Sequence, residues 1–234
     1  MRSKNCVLIT GATGQLAEAV IEHFAQRGAN LAMLARDGDA LAARAKQVRG
    51  AQTLPLAVDL LDARAVAAAV EQAVAHFGGI DAAIHLAGGF TAGQAVHETA
   101  DALQRMLDVN VNTMLHSAAA VVPVMRRQRR GFIVNVGAAS AAKGVAGMGA
   151  YIAAKSALMR LTESMSAELR GEGINVNAVL PTVIDTPANR AAMPDADFRR
   201  WVSPSALASV IGWFISPRMR KGTRSRAVII SNIG

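Results

Sequence analysis

The chain has 234 residues, of which 52% are hydrophobic and only 4% are aromatic. This length and apolar content predict a single folded α/β domain over residues 1–234 and exclude an intrinsically disordered chain. Lys and Arg number 25 against 17 Asp and Glu, and the formal net charge of +8 favours anionic ligands. The scarcity of aromatic side chains disfavours nucleic acid as a partner, because single strands stack their bases on aromatic rings.

Cysteine content and hydropathy indicate where the chain resides. The only cysteine, Cys6, cannot form an internal disulfide, which favours a reducing cytoplasm. The apolar run at residues 6–9 is too short for a secretory signal. No stretch reaches the roughly 18 apolar residues of a membrane span. We therefore expect a cytoplasmic protein with no membrane segment, and we expect no metal site.

Short β-type runs alternate with longer helical ones along the whole chain. We predict strands over residues 6–10, 30–35, 53–58, 82–86, 131–136, 174–180 and 227–230. Helices are predicted over residues 15–27, 39–49, 62–77, 101–128, 151–170 and 204–215. Such alternation is typical of a doubly wound parallel sheet, here of seven strands, with helices on both faces.

The loop after the first predicted strand has glycines at the spacing of a dinucleotide-binding turn. Glycine lets the backbone turn sharply and approach a pyrophosphate, which then lies at the N-terminus of the following helix. An ordinary glycine turn is the alternative, but this one begins a βαβ unit at the start of the chain. The candidate cofactor-binding residues here are Gly11, Thr13, Gly14, Gln15 and Leu16.

The next two strand ends indicate which dinucleotide binds. Arg36 follows the second strand, where an arginine accommodates the 2′-phosphate of NADP, so NADP (as NADPH) is favoured over NAD. The alternative is that Arg36 is a solvated charge and that Asp37 binds the ribose. Asp59 and Leu60, after the third strand, are candidates for contacting the adenine, although Asp59 could instead cap the next helix.

Small residues follow the fourth predicted strand. Ala87, Gly88 and Gly89 leave room for a flat ligand beside the backbone, so they are further candidates for cofactor binding. Phe90 comes next, and it either presents an aromatic face to a substrate ring or fills the core.

Two polar features stand out in the predicted helices. Asn110 lies among apolar neighbours, so it either interrupts the predicted helix and holds a water or satisfies a backbone group without a catalytic role. Tyr151 and Lys155 are four residues apart and therefore share one helix face. An ammonium beside a phenol stabilises the phenolate, so we expect Lys155 to lower the pKa of Tyr151 and prepare it for proton transfer.

Taken in order, these motifs resemble the short-chain dehydrogenase/reductase family over essentially the whole chain. The resemblance implies a Rossmann-type fold in which Tyr151 donates a proton. It further implies that Lys155 lowers the phenol pKa and holds the nicotinamide ribose, while Asn110 belongs to a water-linked proton relay. Pro181 and Thr186 would then contact the nicotinamide.

One residue of the family pattern is missing. The serine that orients the substrate oxygen normally lies 13 residues before the tyrosine, and position 151 − 13 = 138 holds Ala138. Ser140 would replace it only if the strand end were rearranged. Loss of such a hydroxyl typically reduces carbonyl reduction by orders of magnitude.

A narrower resemblance, to dihydropteridine reductase-like members, accounts for the missing serine. These enzymes also lack it, have an aromatic residue after the paired glycines, and reduce a quinonoid dihydropterin. The resemblance makes Phe90, Ala138, Ser140 and Trp201 candidate substrate contacts, with a short lid at about 185–203. One difference is Arg36, since those enzymes usually favour NADH.

The sequence therefore predicts an NAD(P)H-dependent oxidoreductase that transfers hydride to a small flat substrate such as a quinonoid dihydropterin. A 3-oxoacyl-carrier-protein or ketone reductase is one alternative. An NADP-binding sensor without turnover is another, of a different class. By the same resemblance we expect a homodimer or homotetramer.

Overall fold

The computed structural model describes residues 5–215 and, as backbone, residues 227–230. Its strands are β1 Cys6–Thr10, β2 Asn30–Ala35, β3 Thr53–Ala57, β4 Ala82–His85, β5 Gly131–Val136, β6 Ile174–Pro181 and β7 Ala227–Ile230. They pair in the order β3-β2-β1-β4-β5-β6-β7, and every pairing is parallel. Six of them lie within residues 5–215, and β7 is described by its backbone alone. The predicted α/β class and parallel sheet are confirmed.

Eight α-helices belong to the part of the chain that the structure describes. They are α1 Gln15–Ala25, α2 Gly38–Gln47, α3 Ala63–Phe77, α4 Ala100–Leu107, α5 Thr113–Gln128, α6 Gly149–Leu169, α7 Pro187–Ala192 and α8 Pro204–Phe214. None of the helices in the described ranges is long and apolar enough to cross a membrane.

The sheet is covered on both faces because its central strands are apolar throughout. Every residue of β1, β2 and β4 is buried. Val7 and Ile9 belong to the core beneath α1, α2 and α8, whereas Cys6 and Leu8 belong to the core beneath α3, α5 and α6. Alternate residues of a strand point to opposite faces, so one apolar strand supplies both cores.

Side-chain caps define the start of several helices, but not of α1. Asp37 caps α2, Asp62 caps α3 and Ser203 caps α8, each accepting a hydrogen bond from a first-turn N–H group. The first turn of α1 follows Gly14, which has no side chain to accept such a bond. The N–H groups at this helix end are therefore left for another acceptor.

The helix predicted over residues 101–128 is not continuous, and it is interrupted at Asn110, as one of the alternatives for this residue predicted. A π-helical turn at Asp108–Asn112 separates α4 from α5. Asn110 explains the break, because its Nδ2 donates to the carbonyl of Met106 at 3.1 Å and competes with the regular backbone bond. The turn carries Asn110 into the protein interior, where it is fully buried.

Candidate functional site

The loops at the carboxyl ends of the central strands form a cleft of about 390 Å³. β1 lies between β2 and β4, so the direction of strand succession reverses at this point. In open parallel sheets, ligands bind in the crevice at such a reversal. Predicted cofactor residues from four strand ends line the cleft: Gly11, Thr13, Gly14, Arg36, Asp59, Leu60, Ala87 and Gly88.

The glycine loop packs directly on the end of β4. Gly11 has φ +66°, and a Cβ atom there would lie 2.7 Å from the backbone nitrogen of Ala87. Gly14 N–H donates to the carbonyl of Gly11 at 2.9 Å, which closes the turn. Gln15 and Leu16 then form the first, uncapped turn of α1. A tight loop that leads into free N–H groups fits a pyrophosphate, so these residues suit a dinucleotide.

The charged residues that follow β2 and β3 have different surroundings, and these bear on the alternatives stated for Arg36, Asp37 and Asp59. Arg36 is exposed and lines the cleft. Asp37 instead accepts the backbone N–H of Ala40 at 2.9 Å as the cap of α2, which disfavours it as a ribose ligand. Asp59 also lines the cleft and accepts the N–H of Leu61 at 3.0 Å. The helix cap proposed for Asp59 is wrong, because Asp62 caps α3.

Gly88 is the point where the cleft meets the predicted catalytic residues. A Cβ atom on Gly88 would lie 2.9 Å from Asn110 Oδ1 and 3.4 Å from Lys155 Nζ. Lys155 Nζ donates to the carbonyl of Val136, at the end of β5, at 2.8 Å. The structure therefore brings Asn110 and Lys155 together at the carboxyl edge of the sheet, beside the cleft.

Asn110 pairs with both backbone groups of one residue. Its Nδ2 donates to the carbonyl of Gly89 at 3.0 Å, and the Gly89 N–H donates to its Oδ1 at 3.2 Å. The side chain thus satisfies backbone groups, which is the second alternative stated for it, and it also interrupts the helix, as the first alternative predicted. Its part in a proton relay stays a prediction.

Burial governs the acidity of both members of the tyrosine–lysine pair. It lowers the pKa of Lys155 from 10.5 to about 8. It raises the pKa of Tyr151 above its usual 10.0. The expected net lowering of the Tyr151 pKa is therefore wrong, because burial raises it, whereas the stabilisation of a phenolate by Lys155 stays a prediction. The physical reason is that a buried environment disfavours the charged form of each group.

The ring of Tyr151 packs against two apolar features, the ring of Phe90 and the cluster that contains Ala138. The ring of Phe90 meets that of Tyr151 edge-to-face, with centroids 5.0 Å apart at 77°. Phe90 is 58% exposed, so the alternative that it fills the core is wrong. Ala138 is buried and belongs to an apolar cluster against which Tyr151 packs. The structure thus gives Tyr151 an apolar surface where the family pattern has a serine.

Ser140 lies on the short turn Ala139–Ala142 that follows β5. Ser156 holds this turn against α6, since its Oγ donates to the carbonyl of Ala141 at 3.0 Å. Within residues 5–215 the Ser140 hydroxyl has no described hydrogen bond to Tyr151. Its replacement of the missing serine stays a prediction.

The segment predicted as a lid is a short structured connection. Pro181 ends β6, and Thr186 is buried and caps α7 by accepting the N–H of Asn189 at 3.3 Å. Trp201 is only 7% exposed and packs against Phe198, with ring centroids 4.7 Å apart and the ring planes tilted by 58°. This burial favours packing over substrate contact for Trp201.

A buried hydrogen-bond network beneath the site was missed in the sequence. His85 Nδ1 lies 2.7 Å from Asn135 Oδ1, and its Nε2 lies 2.9 Å from Ser117 Oγ. Asn135 Nδ2 donates to Thr162 Oγ1 at 2.8 Å, so its Oδ1 is an acceptor and His85 carries its proton on Nδ1. Burial lowers the pKa of His85 to about 4. The available signal was a histidine and an asparagine in otherwise apolar strands.

Comparison with known proteins identifies the family. Residues 5–197 match the short chain dehydrogenase family. The chain belongs to this family. It is an NAD(P)-dependent oxidoreductase by family, and members of the family act on small molecules.

Two curated relatives differ in their described activity. The chain is 33% identical over 183 residues to 2-dehydro-3-deoxy-L-rhamnonate dehydrogenase (NAD(+)) of Sphingomonas sp. (strain SKA58), covering 78% of this chain and 73% of the relative. It is 38% identical over 175 residues to "Inactive 2-(S)-hydroxypropyl-CoM dehydrogenase 2" of Xanthobacter autotrophicus (strain ATCC BAA-1158 / Py2), covering 73% and 74%. Neither is a dihydropteridine reductase, so that subtype gains no support from them.

Among the solved structures of relatives, one contains NADPH and another contains NAD. L-sorbose reductase from Gluconobacter frateurii, complexed with NADPH and L-sorbose, superposes with a TM-score of 0.89 at 25% identity, covering 99% of this chain and 96% of that one. A 3-oxoacyl-[acyl-carrier protein] reductase from Brucella melitensis with bound NAD superposes with a TM-score of 0.86 at 27% identity, covering 98% and 90%. The neighbours therefore share a fold and a class of cofactor, and they differ in which dinucleotide they bind.

Proposed function

We propose that the protein is an NADPH-preferring reductase of a small flat substrate such as a quinonoid dihydropterin, with Tyr151 as the proton donor. The observation that carries the proposal is the apolar surrounding of the phenol, formed by Ala138 and the edge-on ring of Phe90. A ketone needs a hydroxyl to orient its oxygen. A conjugated C=N system can instead be held by packing against aromatic and methyl groups.

The charge at the end of β2 supports the NADPH preference. Arg36 lines the cleft, while the carboxylate of Asp37 is engaged as the cap of α2. An NAD-binding site normally offers a free carboxylate to the ribose 2′-hydroxyl at this point, whereas an arginine suits a 2′-phosphate.

The raised pKa of Tyr151 is compatible with the proposed role, because a donor must carry its proton before the reaction. Bound reduced nicotinamide supplies the hydride. Lys155 is held by the carbonyl of Val136 at 2.8 Å and lies beside Gly88, which places a cation between the phenol-bearing helix and the cleft. Charge on this lysine stabilises a developing phenolate as the proton leaves.

The test begins with cofactor binding. Tryptophan fluorescence titrations with NADPH and NADH give both dissociation constants, and we expect the NADPH constant to be the lower. The preferred cofactor is then used with a panel that contains a quinonoid dihydropterin, quinones, ketones and a carrier-bound 3-oxoacyl group. Failure of the enzyme to reduce any flat conjugated substrate on this panel would contradict the proposal.

A variant separates the proton donor from the binding site. Tyr151→Phe removes only the hydroxyl and keeps the ring that packs on Phe90 and Ala138. We expect turnover to fall about 10²-fold or more while the NADPH affinity stays within about twofold. Retention of wild-type turnover would remove Tyr151 as the donor.

Binding without turnover is the second candidate, and two observations favour it. Ala138 replaces the serine of the family pattern, and a relative at 38% identity is named inactive. This candidate predicts that the protein binds a dinucleotide but turns over none of the substrates on the panel. A 3-oxoacyl reductase, as in the Brucella melitensis neighbour, predicts turnover of the carrier-bound substrate despite Ala138.

Assembly and location complete the proposal. We expect a homodimer or homotetramer, as is common in the family, and light scattering measures this directly. A cytoplasmic location is supported by the single cysteine, Cys6, which is buried and free. Cell fractionation tests the location.

A further inference from the structure

We propose that Arg44, on α2, joins Arg36 in binding the 2′-phosphate of NADP. The proposal rests on the proposed NADPH preference and adds a residue that lies eight positions beyond Arg36, the residue where such a contact is expected. In this proposal the 2′-phosphate binds between Arg36, which follows β2, and Arg44, which lies on α2 and is held by the glycine loop.

The position of the Arg44 guanidinium carries the inference. Its Nη1 donates to the carbonyl of Gly14 at 2.9 Å, a contact between residues 30 positions apart. Gly14 precedes α1 and lines the same cleft as Arg36. The bond therefore holds one positive charge against the glycine loop, and this loop lines the same cleft as Arg36.

Other arginines on nearby helix ends behave differently. Arg27 donates to the carbonyl of His23, four residues away, and Arg49 donates to the carbonyl of Lys46, three residues away. These are local helix-end contacts. Arg44 alone of the three reaches across to the residue that begins the dinucleotide-binding helix.

Most of the hydrogen-bonding capacity of Arg44 is available. A guanidinium has five N–H donors in a fixed planar fork. The bond to Gly14 uses one of them, and across residues 5–215 no ion pair or further hydrogen bond is described for this side chain. The nearby Asp37 carboxylate is engaged by the N–H of Ala40. A phosphate at the cleft edge would thus meet a half-buried guanidinium with donors to spare.

The alternative role for Arg44 is to tie α2 to the glycine loop without touching the ligand. The two roles differ in selectivity. Loosening the loop weakens every dinucleotide alike, because NADH and NADPH share the pyrophosphate that the loop binds. Loss of a phosphate contact weakens NADPH alone, since NADH has a hydroxyl in place of the 2′-phosphate.

The experiment compares dissociation constants of NADPH and NADH for the wild type, Arg44→Gln and Arg49→Gln. Arg49→Gln is the matched control. It removes the same charge from the segment just after α2, where the Arg49 side chain donates to the carbonyl of Lys46 and not to the glycine loop. We expect Arg44→Gln to weaken NADPH about tenfold and to leave NADH within about twofold. Arg49→Gln should change both by less than about twofold.

Fragments and a conservative variant sharpen the result. Adenosine 2′,5′-bisphosphate and adenosine 5′-monophosphate differ only by the 2′-phosphate, and Arg44→Gln should weaken only the former. Arg44→Lys, which keeps the charge but not the planar fork, should lose less NADPH affinity than Arg44→Gln. Thermal unfolding of each variant checks that it is folded. If Arg44→Gln does not fold, Arg44→Lys takes its place in the comparison of NADPH and NADH.

Each outcome has a distinct meaning. Equal loss of NADPH and NADH affinity in Arg44→Gln, or no loss of either, would overturn the role of Arg44 while leaving the proposed function intact. A wild-type protein that binds NADH more tightly than NADPH, or neither, would instead remove the proposed NADPH preference on which the inference rests.

Discussion

The buried histidine predicts that the protein loses stability in mild acid. His85 is the last residue of β4 and only 3% exposed, and its ring nitrogens face the uncharged side chains of Asn135 on β5 and Ser117 on α5. Burial lowers the pKa of His85 from 6.5 to about 4. Between these two values the unfolded chain takes up a proton and the folded protein does not. Stability is therefore unaffected by His85 above about pH 6.5 and falls as the pH drops below it.

The size of the loss follows from the pKa difference. Each unit corresponds to about 1.4 kcal/mol, so at pH 5 the penalty is (6.5 − 5.0) × 1.4, or about 2 kcal/mol. Below pH 4 it levels off at (6.5 − 4) × 1.4, or about 3.5 kcal/mol. This is a large fraction of the 5–15 kcal/mol that typically stabilises a folded domain.

Urea unfolding at pH 7 and pH 5, followed by tryptophan fluorescence, measures this difference. His85→Gln cannot take up a proton, so its loss between the two pH values should be about 2 kcal/mol smaller than that of the wild type. His97→Gln is the control, because His97 is exposed on the turn Ala95–His97. Equal pH dependence in His85→Gln and the wild type would refute the assignment of the acid sensitivity to His85.

Four further predictions address the site and its scaffold. Tyr151 is the only tyrosine, so absorbance at 295 nm reports its ionisation, and without ligands we expect a pKa above 10.0. Ala138→Ser restores the missing hydroxyl and should raise ketone turnover roughly tenfold or more in a steady-state assay. Gly11→Ala forces a side chain into a φ of +66° and against Ala87, so its thermal midpoint should fall by an amount equivalent to about 2 kcal/mol, with loss of dinucleotide affinity. Asp62→Ala removes the α3 cap and should cost about 1 kcal/mol in urea unfolding without changing that affinity.

Much of the fold could be predicted because it depends on short-range patterns. The strands are apolar runs and the glycine loop follows the first of them, so their carboxyl ends had to meet at one edge. An interruption at Asn110 was one of the predicted alternatives, but the extent and π-helical form of the break at Asp108–Asn112 could not be predicted, since the helical periodicity continues through it. Asn110 was the only local sign, and its partner Gly89 is 21 residues away in sequence.

The chemistry of the site was harder to predict than its location. The spacing of Tyr151 and Lys155 gives their proximity on α6 but not the depth to which either is buried. Burial sets the direction of both pKa shifts, which is why the expected lowering of the Tyr151 pKa was wrong. His85 was overlooked for a similar reason, because a polar residue at a strand end has the same sequence signature whether it is solvated or buried.

The π-helical turn has a consequence for how the length of this chain can vary. A π turn contains one residue more than an α-helical turn, so deletion of a single residue from Asp108–Asn112 would restore a regular helix. The extra residue is taken up within the turn itself, so α4 and α5 keep nearly the angular register of one continuous helix, and buried Met106 would stay in its cluster after the deletion. What the deletion would remove is the widened turn that carries Asn110 to the backbone of Gly89. A one-residue shortening at this place would therefore spare the packing of the helices and change the site instead.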